Sequence, residues 1–322
     1  MPSPGRAPGN RIGDPFAAYA GVPVAGGELR VARAGPPAGE GTPTVLALHG
    51  ISASHLAFRS VARELGGRMR ATLLAPDLRG RGRSARLPGP FGVTVHVADL
   101  LAVLDAAGAE RVVAVGHSMG AYVAARLAAD HPDRVKAVVL LDAGLPFPEP
   151  PIDPDVALQA VVGPALERLH ITFDSMDDYL AGWRAHPALS DAWDADIEAY
   201  ARYDMVSDGG RVRCVVSADA VRADGADVLR DEATRAALDR VHAPVYLLRA
   251  PGGLQADDNA LLPWSALAPF LAEHPEVRFE DVAAVNHYTL VMGAGPGPAR
   301  VAAAIEAAAA GAPIPAPPAH RA

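Results

Sequence analysis

The chain is almost without lysine and cysteine. Lys136 is the single lysine among 29 basic residues in a chain of 322, and Cys214 is the single cysteine. One cysteine excludes an internal disulfide and a cysteine zinc cluster, and Cys214 reads as a small packed hydrophobe. Arginine in place of lysine, with abundant Ala, Gly and Pro, reflects compositional bias and carries no functional information. The net charge is −8, and no basic cluster has the density of a nucleic-acid footprint. The nearest approach is "RGRGRSAR" at 79–86, a short loop. No run of about 18 apolar residues marks a membrane span. The opening "MPSPGRAPGNRIGDPF" lacks the apolar segment of a signal peptide. These absences predict a cytoplasmic protein that binds neither nucleic acid nor membrane, and they leave the oligomeric state open.

Hydrophobic residues make up 50% of the chain, enough for a large core. Residues 1–14 and 311–322 are rich in Pro, Gly and Ala and read as disordered. Between them strands alternate with helices. "TVLALHG" (44–50), "ATLLAPD" (71–77), "VVAV" (112–115), "KAVVLLDA" (136–143), "PVYLLRA" (244–250) and "EVRFEDVAAV" (276–285) read as strands. Helices are expected at 54–68 (ended by Gly66-Gly67), 94–108 (with Thr94 as N-cap), 121–130, 263–273 and 298–310. Strands apolar throughout, separated by helices, predict an α/β fold with a mostly parallel, doubly wound sheet. The alternation stops after Asp142. Residues 145–243 read as a helical cap inserted before the penultimate strand, leaving 15–144 and 244–310 as the core. The cap carries Phe173, Tyr179, Trp183, Trp193, Tyr200 and Tyr203. Some of these should form its own small core and others should line a pocket, with Trp183 the foremost expected substrate contact.

One stretch carries the chemistry. In "VVAVGHSMGAYVAARLAADHPDR" (112–134) a buried strand passes almost directly into a helix, with Ser118 at the turn. Gly116 and Gly120 remove the Cβ atoms that would collide where strand and helix close up. The pattern is G-x-S-x-G, which presents a serine hydroxyl above a sheet beside an unpaired N–H, here that of Met119. A serine needs a base. In elbows of this kind the acid and then the histidine follow the serine along the chain. Of the histidines after Ser118, only His287, in "VNHYTLVMG", emerges from the last strand at the serine's edge of the sheet. A second oxyanion donor is expected after the strand "TVLALHG", where Gly50 allows close approach and the Ile51 N–H turns inward. His49 is read as a structural hydrogen-bonder.

These stretches together resemble the α/β-hydrolase superfamily, in its cap-bearing serine hydrolase branch of esterases and lactonases. The resemblance runs from about Ala25 to Ala310. It rests on "LALHGISAS" (46–54), "APDLRGRGRS" (75–84), "VGHSMG" (115–120), "VVLLDAGLP" (138–146) and "NHYTL" (286–290). It implies a Ser-His-Asp triad cleaving a small-molecule ester or lactone through an acyl-enzyme, with no metal or organic cofactor. C–C bond hydrolases and perhydrolases use the same triad, and a hydrolase-fold ligand receptor is the reading from another class. Ser118 argues against members with an aspartate nucleophile, among them epoxide hydrolases. The acid departs from the usual pattern. Most members place it in the turn after the cap, where this chain has "RAPGGLQADDN" with Gly253 at the expected position and Asp257 and Asp258 beyond it. Others use an acid at the end of the strand before the cap, the position of Asp142. Asp142 is preferred here, with Asp258 as the alternative.

Overall fold

A computed structural model of the protein describes residues 13–39, 41–146 and 166–317, together with Val156, Gln159 and Gly163. The chain opens with a hairpin of β1 (Phe16–Val24) and β2 (Gly27–Ala34). Four strands follow: β3 (Thr44–Leu48), β4 (Thr72–Pro76), β5 (Val112–His117) and β6 (Val135–Leu141). The inserted region after β6 contributes β7 (Thr172–Phe173), β8 (Met205–Asp208) and β9 (Arg211–Cys214). The main sheet then resumes with β10 (Val245–Arg249) and β11 (Arg278–Asp281). Its order is β1-β2-β4-β3-β5-β6-β10-β11, with β2 antiparallel to both of its neighbours, β1 and β4, and the six strands from β4 to β11 parallel to one another.

Alternate residues of the central strands feed opposite layers. Val45 and Ala47 face the core beneath α1 (Arg59–Arg68) and the C-terminal helix, while Leu46 and Leu48 face α2 (Val93–Ala106) and α3 (Met119–Asp130). Every residue of β3, β4 and β5 is buried, so these strands read as unbroken apolar runs. The connections reverse direction at β3, which lies between β4 and β5. In open α/β sheets such a switch point opens a crevice at the strands' carboxyl ends.

The inserted region is helical at 166–170 and contains α4 (Met176–Arg184), α5 (Ala195–Tyr203), α6 (Ala218–Arg230) and the short α7 (Glu232–Arg235). It is not wholly helical, because β7, β9 and β8 form a small antiparallel sheet in that order. These strands are too short and too exposed to show a two-residue hydrophobic period. The region docks on the core through carboxylates of α6. Asp224 accepts the Gly92 N–H at 2.8 Å and Asp227 accepts the Val93 N–H at 2.9 Å. The N-terminus of α2 is therefore capped from the insertion, and Gly92, not Thr94, is its N-cap. Negative groups there also meet the positive end of the helix dipole.

The core closes with α8 (Trp264–Glu273) and α9 (Pro296–Ala310). Three terminal expectations change. Helix α1 runs through Gly66 and Gly67 to Arg68, and β11 is only the four residues Arg278–Asp281. The tail docks up to residue 315: Ala312 O accepts the Tyr246 hydroxyl at 2.7 Å, Pro315 O accepts Arg300 at 2.6 Å, and Ile314 packs on the core. At the other end Asp14 accepts the Phe16 N–H and the Tyr19 hydroxyl. Residues 1–12 and 318–322, also read as disordered, lie outside the described residues.

Candidate active site

Ser118 stands between β5 and α3 with no loop residue on either side, at φ 56° and ψ −126°. That conformation is rare for a residue with a side chain and stores strain at the turn. The two glycines explain how it closes. A Cβ on Gly116 would lie 2.1 Å from Gly120 O, and one on Gly120 would lie 2.1 Å from Leu48 O. Helix, elbow strand and β3 thus approach to backbone contact, and the loop after β3 runs against the serine. The N–H groups of Ile51 and Met119 have no acceptor among the described residues.

His287 is held from three directions. Its N–H donates to Gly252 O at 3.1 Å, its carbonyl accepts His117 Nε2 at 2.8 Å, and its Nδ1 lies 2.8 Å from Asp142 Oδ2. Its loop is an Asx turn in which Asn286 Oδ1 accepts the N–H groups of Tyr288 and Thr289, both at 3.0 Å. Asn286 Nδ2 donates across to Ala188 O in the insertion at 2.9 Å. A carboxylate only accepts, so Nδ1 of His287 carries the proton and Nε2 keeps its lone pair.

Asp142 follows β6 directly, at φ 52°, and is fully buried. Its Oδ1 accepts the Ala250 N–H at 3.0 Å, leaving Oδ2 for His287. Asp257 and Asp258 are exposed on the turn beyond β10. The structure brings together Asp142 and His287, and it does not bring Asp258 to the histidine.

Two cavities meet at Ser118. One, of about 310 Å³, is apolar and bounded by Met119, Tyr122, Leu145, Val228 and Leu262. The other, of about 350 Å³, is bounded by His287, Arg168, His186, Tyr200 and Tyr288. Ile51, Ser118 and Leu261 border both. Trp183 borders neither. It is buried behind the second wall, 6.1 Å from the stacked His186 ring and 5.9 Å from Tyr200. Its spacing from Tyr179 on α4 is that of a helix's core-facing stripe. Sequence reasoning missed Arg168 and His186. The available signal was an arginine, Arg168, with no carboxylate three or four residues away on its helix.

His49 donates from Nδ1 to Gly50 O at 2.8 Å and accepts the Leu78 N–H at Nε2 at 2.9 Å. Burial pulls its pKa down to about 3, so the ring stays neutral. His117 is likewise held neutral, by burial and by the adjacent His287. The "DLRGRGRS" loop is a lattice of buried charges. Arg79 pairs with Asp99 through two bonds of 2.9 and 2.8 Å, and Arg81 pairs with Asp224, which also meets His96 Nε2 at 3.0 Å. Among the described residues no three metal-ligating side chains cluster, and no helix is long and apolar enough to cross a membrane.

A doubly wound sheet with a serine on a strained strand-to-helix turn, and a histidine–aspartate pair at the same edge, defines an α/β-hydrolase fold. The family model for the α/β-hydrolase fold matches residues 43–192, a little under half of the chain. Lipase LipV of Mycobacterium tuberculosis is 41% identical over 115 residues, which are 36% of this chain and 41% of the lipase. Epoxide hydrolase A of the same organism is 36% identical over 144 residues, 44% of this chain and 43% of that protein. The chain therefore matches about four-tenths of the length of these relatives. Among solved structures, E-2-(acetamidomethylene)succinate hydrolase aligns with a TM-score of 0.69 at 22% identity, covering 90% of this chain and 97% of that one. The thioesterase domain from the curacin biosynthetic pathway gives 0.70 at 20% identity, covering 90% and 98%. At such identities these two matches speak for the fold alone.

Proposed function

We propose that the protein is a serine hydrolase that cleaves a carboxylic ester or lactone. The observation that carries this reading is the 2.8 Å contact between His287 Nδ1 and buried Asp142, with His287 and Ser118 on one cavity wall. Ser118 Oγ attacks the carbonyl carbon and its proton passes to His287 Nε2. The Ile51 and Met119 N–H groups stabilise the oxyanion. As the tetrahedral intermediate collapses, His287 returns the proton to the leaving alcohol, and an acyl group remains on Ser118. Water then attacks with His287 as base, releasing the acid. Asp142 holds the imidazole in the required tautomer. The match to a protein named as a lipase supports ester cleavage. The matches to proteins named as epoxide hydrolases are weighed against Ser118, since epoxide-opening members use an aspartate at the elbow.

Ser118→Ala should abolish hydrolysis across a panel of esters and lactones while circular dichroism and melting stay close to wild type. Loss of the nucleophile typically lowers rate by several orders of magnitude. A fluorophosphonate probe should label wild type at Ser118 alone. Activity of the variant towards activated phenyl esters above about a hundredth of wild type would exclude Ser118 as nucleophile.

A further inference from the structure

The wall of the second cavity carries a cation with no counter-ion among the described residues. Arg168 is half-buried, and its one hydrogen bond among the described residues runs from Nη2 to Ser52 Oγ at 3.0 Å. The face of its guanidinium rests on Trp183, 5.2 Å from the ring centre. The buried arginines elsewhere are paired: Arg79 with Asp99, Arg81 with Asp224, Arg249 with Asp281 and Arg300 with Glu280. Around Arg168 the ionisable neighbours are neutral. Burial raises the pKa values of Tyr179, Tyr200, Tyr288 and Cys214, keeping each protonated at neutral pH. Asp204 feels the Arg168 charge, yet burial and the nearby Asp77 push it up to about 8.

A guanidinium removed from water without a negative partner is unfavourable, and the two cavity neighbours of Ser118 differ in the way this implies. His186 lies beside Arg168 on the same wall. Its Nδ1 accepts the Ala188 N–H at 3.2 Å, which leaves the proton on Nε2, and burial and Arg168 keep the ring neutral. Among the described residues the wall therefore offers several N–H donors and no acceptor of opposite charge. Across Ser118 the other cavity is apolar.

We propose that Arg168 is a specificity residue that binds a carboxylate carried by the substrate, with His186 as a second donor. The substrate class is an ester or lactone with a carboxylate on one side of the scissile carbonyl and an apolar portion on the other. The polar part lies in the cavity of Arg168 and the apolar part in that of Tyr122, Val228 and Leu262. This rests on the hydrolase reading above, and planar, bidentate recognition is what a guanidinium does best with a carboxylate.

The test uses matched ester pairs that differ by a terminal carboxylate or methyl group, placed in one pair on the acyl chain and in the other on the alcohol. Wild type should favour the carboxylate member of at least one pair. Arg168→Gln should lower that ratio of kcat/KM by roughly 10- to 100-fold, the worth of a charged hydrogen bond. The change should fall mainly in KM, and Arg168→Lys should recover part of it. If Arg168 only ties the insertion to Ser52, both members lose activity alike and the ratio is unchanged, which overturns the proposal. So does an absence of preference in both pairs. Glutarate binding, followed by thermal shift in wild type and Arg168→Gln, reads the anion site without turnover. Glutarate should stabilise wild type and not the variant; equal stabilisation, or none in either, refutes the site. Fluorophosphonate labelling of Ser118 reads the hydrolase assignment separately: an inert Ser118 with Arg168-dependent glutarate binding sinks that assignment and leaves the anion site standing.

Discussion

Replacing Asp142 with asparagine isolates one proton in the proposed mechanism. The carboxylate makes two bonds: Oδ2 to His287 Nδ1 at 2.8 Å and Oδ1 to the Ala250 N–H at 3.0 Å. An amide has one oxygen and one NH2 group, so it satisfies these two donors only in part. With its oxygen on the Ala250 N–H, the NH2 faces Nδ1. The imidazole then moves its proton to Nε2, and the ring presents Ser118 with a donor instead of a base. With the amide reversed, the NH2 opposes the Ala250 N–H in a fully buried position. Two buried donors facing each other cost about 1–3 kcal/mol. The first arrangement therefore prevails by roughly one to two orders of magnitude. That bias accounts for roughly 10- to 100-fold, and the neutral amide also no longer stabilises the imidazolium that forms, so Asp142→Asn should lower kcat by about 10³–10⁴ in all, as the equivalent change does in the well-studied triad. KM should change little and the fold should persist, because size and shape are kept. Steady-state kinetics on an activated ester and the rate of fluorophosphonate labelling should fall together. Asp258→Asn, on an exposed turn, should stay within about tenfold of wild type. If Asp142→Asn retained more than about a tenth of wild-type kcat, the tautomer argument would be refuted and the acid would have to be sought elsewhere.

Trp183→Ala should act on stability before specificity: its ring is buried among Tyr179, Tyr200 and His186, and removing it should lower the unfolding free energy by about 3–5 kcal/mol in denaturant titrations. A stable variant with altered ester preference would instead put Trp183 on the substrate. Asp204→Asn tests a pH dependence. Burial, with the charge of Asp77, raises the Asp204 pKa to about 8, against about 4 in an unfolded chain. Between those values the folded protein holds a proton that the unfolded chain has released. Its contribution to stability is thus complete below about pH 4 and falls away as pH rises towards 8, by about 1.4 kcal/mol per unit for one group. Asp204→Asn should gain on wild type by that slope in urea titrations at pH 5, 6 and 7; parallel curves would show that the carboxyl ionises freely.

How much of this was legible in the sequence follows from which forces are local. The elbow is legible because Gly116 and Gly120 are required by backbone contacts that no other residue permits. The parallel strands are legible because burial on both faces forces continuous apolar runs. The first hairpin was missed: β1 is a mostly exposed edge strand, rich in alanine, and lacks the hydrophobic alternation that marks a half-buried strand. The acid stayed open between Asp142 and Asp258 because the deciding partner, the N–H of Ala250 just after β10, lies more than a hundred residues away. Trp183 was misplaced because an aromatic residue in an insertion reads equally as wall or as core. Its stacking on His186 and its position beneath Arg168 arise only in the packed insertion.

The same non-local logic explains why a loop with no part in the chemistry holds so many buried charges. Replacing a buried ion pair with apolar residues often leaves stability unchanged or improved, so the link between Arg81 and Asp224 is weak as a stabilising device. Its geometry is what distinguishes it. Arg81 Nε donates to Ile51 O at 2.8 Å, Nη1 donates to Arg79 O at 2.9 Å, and Nη2 lies 4.0 Å from the Met119 sulfur. One guanidinium thus touches both residues whose N–H groups would hold the oxyanion. The carboxylate it grips, Asp224, precedes Gly225 on the wall of the apolar cavity and accepts the Gly92 N–H at the start of α2. Oxyanion loop, elbow helix and insertion are fixed to one rigid group, and a shift of any of them must break a buried, charge-assisted bond. A site whose donors must be aimed before the charge develops needs that kind of constraint, which apolar packing, having no direction, does not supply.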